Sequence, residues 1–410
     1  MADNPRMLRS GDGIILSVFG LLAIGVVMVN SADLTIDPSQ AVTFQSIALS
    51  RATLYMAVAV AAMLLVGRMP IARIAASERF FATIPWLFPV LIGVLLLSYL
   101  PGIGHEVNGA RRWIRIPGIP GNGFTMQPSE IAKWGIILVL AWHCVRRAGV
   151  MHRFDSGLLP GLAMIGVIAA LVSHQDLGTG VLIGLSGCLL LVAAGGRLVQ
   201  LLAFVPLGLI GFIIAVRAEP YRMRRIDTFL NPYLDPEGAG YHMIQSLVAV
   251  ANGKGFGRGL GFGLQKFGYL PEDRTDFLFA VICEELGLAG AALVIALYVY
   301  LLWSIVSIVR RETSPLLKLV GLGIGATLGL QALINLAVVT GLAPTKGIAL
   351  PLLSYGGTGW ILTAASLGVL VAMDRAQSLA HPAAPAERSD PIETGADAGD
   401  MSHQALARTG

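Results

Sequence analysis

Apolar runs of bilayer-crossing length recur along this sequence almost from end to end. They fall near residues 13–30, 50–67, 83–100, 128–145, 158–173, 179–195, 199–216, 277–309, 316–341 and 355–373. At a rise of about 1.5 Å per residue, roughly 20 apolar residues cross the ~30 Å hydrocarbon core of a membrane. Of the 410 residues, 55% are hydrophobic and only 13% charged, against about a quarter charged in soluble domains. In lipid every backbone polar group must be satisfied within the protein, which makes the helix the natural spanning element. The expected fold is therefore all-α and polytopic, with about ten transmembrane helices. A large extracytoplasmic loop, about 217–276, separates helices 7 and 8, and a shorter one, about 101–127, separates helices 3 and 4. Residues 1–375 read as one transmembrane domain. The tail 376–410, rich in Ala, Pro, Ser and Asp, reads as a disordered cytoplasmic end. The stretch Met1–Asp12, with Arg6 and Arg9, mimics a signal peptide, but the many later spans favour an uncleaved first helix.

Basic residues in short loops set orientation. With the N-terminus in the cytoplasm, Arg68, Arg73, Arg79, Arg146, Arg147, Arg153, Arg197, Arg310, Arg311, Lys318 and Arg375 fall inside. The short outer loops hold only Arg51 and Lys346, so both termini are expected inside. Two outer segments break the pattern: one carries Arg111, Arg112 and Arg115, the other Arg222, Arg224, Arg225, Lys254, Arg258, Lys266 and Arg274. Cations kept on the far side against this bias point to an anionic ligand at the outer surface. The competing reading is that long loops cross regardless of charge. No aromatic-plus-basic platform accompanies the net charge of +4, which argues against nucleic acid. Cys144, Cys188 and Cys283 lie in or beside apolar runs without metal-ligand spacing, and read as small buried side chains.

Ionisable groups inside apolar helices are costly and mark functional sites by default. Glu130 and Lys133 sit three apart at the start of helix 4, on one face, as a buried pair or a headgroup holder. Asp176 precedes helix 6, where it fits either a helix cap or an outer-surface acid. Asp276 stands where polar loop meets apolar helix 8; partial desolvation there raises a carboxylate towards use as a base, though capping is the alternative. Glu284, further along, needs a partner or a polar cavity. The glycines 253, 255, 257, 259, 261 and 263 suit tight turns but lack the strand–helix context of a nucleotide-binding loop. The segment from Tyr241 to Leu247 is mildly amphipathic and suits an interfacial helix.

Several motifs then act in combination. They are Asn108-Gly109-Ala110-Arg111-Arg112-Trp113-Ile114, Gln127-Pro128-Ser129-Glu130-Ile131-Ala132-Lys133 and Asp176-Leu177-Gly178-Thr179. Later come Asn231-Pro232, Gly240-Tyr241, Leu270-Pro271-Glu272, Thr275-Asp276-Phe277 and Ser354-Tyr355-Gly356-Gly357. In this order they resemble the SEDS family (shape, elongation, division, sporulation), over nearly the whole chain. Pro344-Thr345-Lys346-Gly347 and Leu264-Gln265-Lys266 resemble its cell-division branch more than its elongation branch. Departures are His174-Gln175 before Asp176, Arg274 before Asp276, and Thr358-Gly359 after Gly357. The resemblance implies a peptidoglycan glycosyltransferase that polymerises lipid II at the outer face of the cytoplasmic (inner) membrane during septal wall synthesis. Its implied partners are a class B penicillin-binding transpeptidase, divisome membrane proteins and membrane lipids. It makes Asp276 the base, with Asp176, Glu130 and Lys133 in the catalytic group. Substrate contacts would come from Arg111, Arg112, Trp113, Arg224, Lys254 and Lys346. A divalent cation (Mg or Mn) on the pyrophosphate is compatible with this chemistry, although no closed protein ligand set is visible. A lipid II flippase, an elongation-type polymerase and a non-catalytic division scaffold are the competing readings.

Overall fold

The computed structural model describes residues 9–32, 44–100, 103–107, 110–116, 124–267, 269–345 and 347–380. Its helices, in order, begin with α1 (Ser10–Ala32), α2 (Phe44–Ala48), α3 (Arg51–Gly67), α4 (Ile71–Ala76), α5 (Glu78–Leu97) and α6 (Pro128–Arg146). They continue with α7 (Leu159–Gln175), α8 (Leu177–Ala193), α9 (Leu198–Leu202), α10 (Val205–Arg217), α11 (Pro220–Leu230) and α12 (Tyr241–Asn252). The last three are α13 (Leu278–Arg311), α14 (Pro315–Val339) and α15 (Thr358–Ala380). Among the described residues, seven helical segments are long and apolar enough to cross a membrane. Two shorter apolar helices, α3 and α8, add to them. The 19-residue α6 has spanning length too, with Glu130 and Lys133 in its first two turns. The protein is thus a multi-pass membrane protein, and the spans lie within a few residues of where the apolar runs place them. The last helix reaches Ala380, beyond the expected domain end at 375, and 381–410 lie outside the described residues.

Helices α1, α3, α13 and α15 pack together, and α6, α8 and α14 form a second contiguous group that also meets α15. Close approach depends on small residues: the Gly368 position on α15 lies 2.6 Å, measured from an added Cβ, from the Met63 carbonyl on α3. By contrast α10 is largely exposed on its sides, as suits a helix solvated by lipid.

One addition to the all-α expectation lies in the 101–127 segment. Strands β1 (Gly104–Val107), β2 (Ala110–Ile116) and β3 (Phe124–Met126) form an antiparallel sheet in the order β1-β2-β3. Residues 110–116 alternate in period two, placing Arg112 and Ile114 on one face of β2, with Ile114 buried. The long segment before α13 is likewise built: α11 and α12 occupy it, and α12 covers the span expected to be amphipathic.

The glycine-rich stretch has a specific task. At Gly287 (φ 64, ψ −160) α13 breaks its helical path. The carbonyls of Glu284 and Glu285 accept from Arg258 N (2.9 Å) and Gly259 N (2.9 Å) instead of from the next turn. Leu288 N and Ala289 N donate to the carbonyls of Lys254 (3.0 Å) and Gly255 (3.2 Å). Backbone is thus spliced to backbone. An added Cβ at Gly253 would lie 1.7 Å from the Cys283 carbonyl, and one at Gly257 2.2 Å from that of Glu285. These glycines therefore permit contact rather than merely turning the chain.

The same splice answers the question posed by Glu284. Its carboxylate accepts from Leu264 N and Gln265 N, each at 3.1 Å. Glu285 pairs with the buried ammonium of Lys266 at 2.8 Å and accepts from Ser31 Oγ and Gly261 N. Both acids are fully buried and staple the long loop to α1 and α13. Lys266, counted among the outer cations, is thereby consumed in structure.

Candidate active site

The two long segments and the N-terminal ends of α6, α8 and α13 meet at one end of the bundle. Asp276 lies two residues before α13. The cap position of that helix belongs to Phe277, and no side chain bonds there, so Asp276 is not a helix cap. Its backbone carbonyl accepts from Asn335 Nδ2 on α14 at 2.8 Å. The carboxylate lies against Gly347, where an added Cβ would come within 2.3 Å of Oδ2. Burial drives its pKa up to about 7, and the carboxylates of Glu272 and Asp176 add to the rise. The guanidiniums of Arg225 and Arg112 oppose it. The side chain retains some surface, yet the atoms packed around it remove much of its hydration, which disfavours the charged form.

Asp176 caps α8. Its Oδ1 accepts from Gly178 N (3.0 Å) and Thr179 N (3.2 Å), and its Oδ2 from Thr179 Oγ1 (2.7 Å). The capping alternative is therefore realised here, while the charge still bears on Asp276. Arg222 ties α11 to the end of α7 by donating to the carbonyls of Ser173 (3.3 Å) and His174 (3.0 Å). Arg225 lies over the Tyr221 ring and donates to the Thr345 carbonyl at 3.0 Å. His242 on α12 stacks on Phe277, and its pKa is lowered by burial and by the Arg225 charge, with Glu272 acting against them.

Lys133 is 2% exposed, within 2.7 Å of the Glu130 carboxylate. Its Nζ also donates to Gln331 Oε1 at 3.0 Å. Gln331 Nε2 donates in turn to the Ala349 carbonyl at 2.8 Å. The segment 344–357 is thus clasped repeatedly: at Thr345 by Arg225, at Ile348 by Asn335, at Ala349 by Gln331 and at Tyr355 by the Arg274 carbonyl.

Not every candidate converges on Asp276. Of the Arg111-Arg112-Trp113 cluster on β2, Arg112 bears on the carboxylate, and its Nε is buried without a partner. Trp113 is half-buried beside it on β2. Arg111 is placed on the same strand. Arg224 is exposed on α11, and the charge of the neighbouring Arg225 bears on Asp276. Lys254 sits at the Gly287 splice, roughly 15 Å along α13 from Asp276, because the glycine stretch is drawn down to the helix break. Lys346 lies outside the described residues, between Thr345 and Gly347. In the sequence Arg225 stands out only as one of the outer cations and Glu272 only within a motif, while His242, Gln331 and Asn335 are additions of the structure. For the last two a signal existed, since amides inside an apolar helix are conspicuous. Among the described residues no three His, Cys, Asp or Glu side chains group as a metal site.

A multi-pass helical bundle with an acid and several cations gathered at one end defines a membrane-embedded class of enzyme-like proteins. The family model described as cell cycle protein, FtsW/RodA/SpoVE, matches residues 13–379, and the chain belongs to that family. The probable peptidoglycan glycosyltransferase FtsW of Geobacter sp. (strain M18) is 40% identical over 290 residues, 70% of this chain and 78% of that protein. The corresponding protein of Alkalilimnicola ehrlichii is 37% identical over 376 residues, 89% of each. Among solved structures, a chain from work on structural coordination of polymerization and crosslinking by a peptidoglycan synthase complex superposes with a TM-score of 0.68. It is 27% identical and covers 89% of this chain and 97% of its own. The rod shape determining protein RodA of Thermus thermophilus shares the fold, with a TM-score of 0.54 and 23% identity over 89% of this chain and 96% of its own.

Proposed function

We propose that this chain is a peptidoglycan glycosyltransferase that polymerises lipid II into glycan strands at the outer face of the cytoplasmic membrane, in septal wall synthesis. The observation that carries the reading is Asp276: a carboxylate held at the loop end of the bundle, its pKa raised by burial to about 7 while the Arg225 and Arg112 charges act on it. A base poised near neutrality suits removal of a proton from a sugar hydroxyl. The acceptor oxygen attacks the anomeric carbon of the donor as the bond to the diphosphate breaks, and the proton goes to Asp276. The departing oxygens gain negative charge, which Arg112 and Arg225 are placed to stabilise. The Lys133–Glu130 pair orients a headgroup, Trp113 offers a flat face to a sugar, and Arg111, Arg224 and Lys346 supply further cationic contacts. Any divalent cation would be held chiefly by the diphosphate's own oxygens, since the described acids form no cage.

In this orientation both termini are cytoplasmic. The partner is a class B penicillin-binding transpeptidase, a reading supported by the synthase complex among the structural relatives. The test is polymerisation of purified lipid II by the chain with that partner, wild type beside Asp276→Asn. Long glycan from the wild type and none from the variant is expected. An Asp276→Asn protein polymerising at full rate removes the base. Lipid II transfer across liposomes without product would favour a flippase instead.

A further inference from the structure

Two amides interrupt the apolar core of α14. Gln331 and Asn335 lie one turn apart, 7% and 1% exposed. Asn335 Nδ2 donates to the Asp276 carbonyl (2.8 Å) and the Ile348 carbonyl (2.7 Å). Gln331 accepts from Lys133 and donates to the Ala349 carbonyl, the residue after Ile348. A single helical turn therefore holds three things in register: the backbone at the proposed base, the segment whose Gly347 abuts its carboxylate, and the buried ammonium.

The Asn335 carbonyl oxygen is buried with no partner. An unsatisfied buried acceptor is costly and rare in native structures. Here it accompanies an amide whose nitrogen serves two carbonyls from separate segments. Leucine would fit the helix and the membrane better, so the retained feature is the pair of donors.

We infer that Gln331 and Asn335 are positioning residues for glycosyl transfer: Asn335 sets the Asp276 carboxylate against Gly347, and Gln331 sets the Lys133 ammonium relative to the same segment. The inference rests on Asp276 acting as the base. Neither amide touches the reacting atoms. Asn335 acts by fixing the proposed base and Gln331 by fixing the headgroup-orienting Lys133, and displacement of a reacting group by about 1 Å costs on the order of 100-fold in rate.

The experiment uses the full-length chain with its transpeptidase partner in lipid nanodiscs and purified lipid II as substrate. Asn335→Leu keeps size and apolar fit while removing both donors. It is expected to lower kcat by about 100-fold and leave KM within about twofold. It should also move the acid limb of the pH–rate profile below its wild-type position, because a carboxylate released from Gly347 regains water. Glu272, Asp176, Arg225 and Arg112 still face it in the variant, so the limb shifts without vanishing. Gln331→Met is expected to raise KM and leave the limb in place. A merely structural suture would lower the melting temperature without moving the limb. Wild-type kcat in Asn335→Leu, or lost kcat with an unmoved limb, overturns the inference. If Asn335→Leu does not fold, Asn335→Ser gives the same readouts under the same criteria. An inactive Asp276→Asn beside a fully active Asn335→Leu defeats this inference alone; an active Asp276→Asn defeats the base assignment beneath it.

Discussion

Asp276 holds its proton up to about pH 7 because burial and two neighbouring carboxylates outweigh two guanidiniums. Only the ionised form can accept a proton, so kcat/KM, read at lipid II well below KM, should climb with pH through about 7, not through the usual 3.8. Stability runs the other way. A carboxyl whose folded pKa is raised binds its proton more tightly when folded, so its stabilising contribution is present at acid pH and lost as pH rises through about 7. Asp276→Asn should therefore be inactive yet melt at a higher temperature than wild type at about pH 8, with the gap narrower at about pH 5 and closing only below the ordinary carboxyl value of 3.8. Equal melting at both pH values would contradict this. The residue scale also shows what a motif can and cannot tell. Asp176 and Asp276 both precede apolar helices and both fit a cap. Asp176 realises it because Gly178 and Thr179 turn their N–H groups towards it. Asp276 does not, because Phe277 occupies the cap and Asn335 holds the backbone. That distinction needs α14, a helix far away in sequence.

At the scale of elements, α13 and the glycine stretch behave as one unit. Gly287 sits at positive φ, and an added Cβ would lie 2.3 Å from Gly257 N. Gly287→Ala should thus destabilise by several kcal/mol, on the order of 3 or more, from backbone strain and lost splice bonds. Removing one partner of the buried Lys266–Glu285 pair leaves an uncompensated charge, so Lys266→Met should cost about 3 kcal/mol. Thermal melting of both variants in detergent checks these losses, and a wild-type transition in either would break the account. The glycines were visible as a pattern, but their purpose was not: close approach depends on what approaches. The sheet in the 101–127 segment was not legible from local pattern. The adjacent pairs Arg111-Arg112 and Trp113-Ile114 break any polar–apolar alternation through Ala110–Ile116, so the strand rests on its pairing with β1 and β3.

Across the whole molecule, the two polar segments share one end of the bundle. If that end faces outward, a cysteine at Leu234, 66% exposed before α12, should react with a membrane-impermeant maleimide in intact spheroplasts. A cysteine at exposed Arg310, at the far end of α13, should react only after lysis. The native cysteines give a low background, since Cys144 and Cys283 are buried and Cys188 partly so. Reversed labelling would invert the topology and remove the proposed site from the outer face.

The number and approximate position of the spans, and the charge-rich segments between them, follow from the sequence alone. Apolar length against bilayer thickness is a local property, readable one helix at a time. The tertiary structure decided which cations meet Asp276, drawing in Arg112 and Arg225 while leaving Lys254 at the Gly287 splice. It also decided that Glu284, Glu285 and Lys266 serve packing, and that two amides of α14 hold the site together. Such assignments depend on distances between segments separated by tens to hundreds of residues, and on the desolvation those segments jointly impose. Neither quantity exists until the helices have packed.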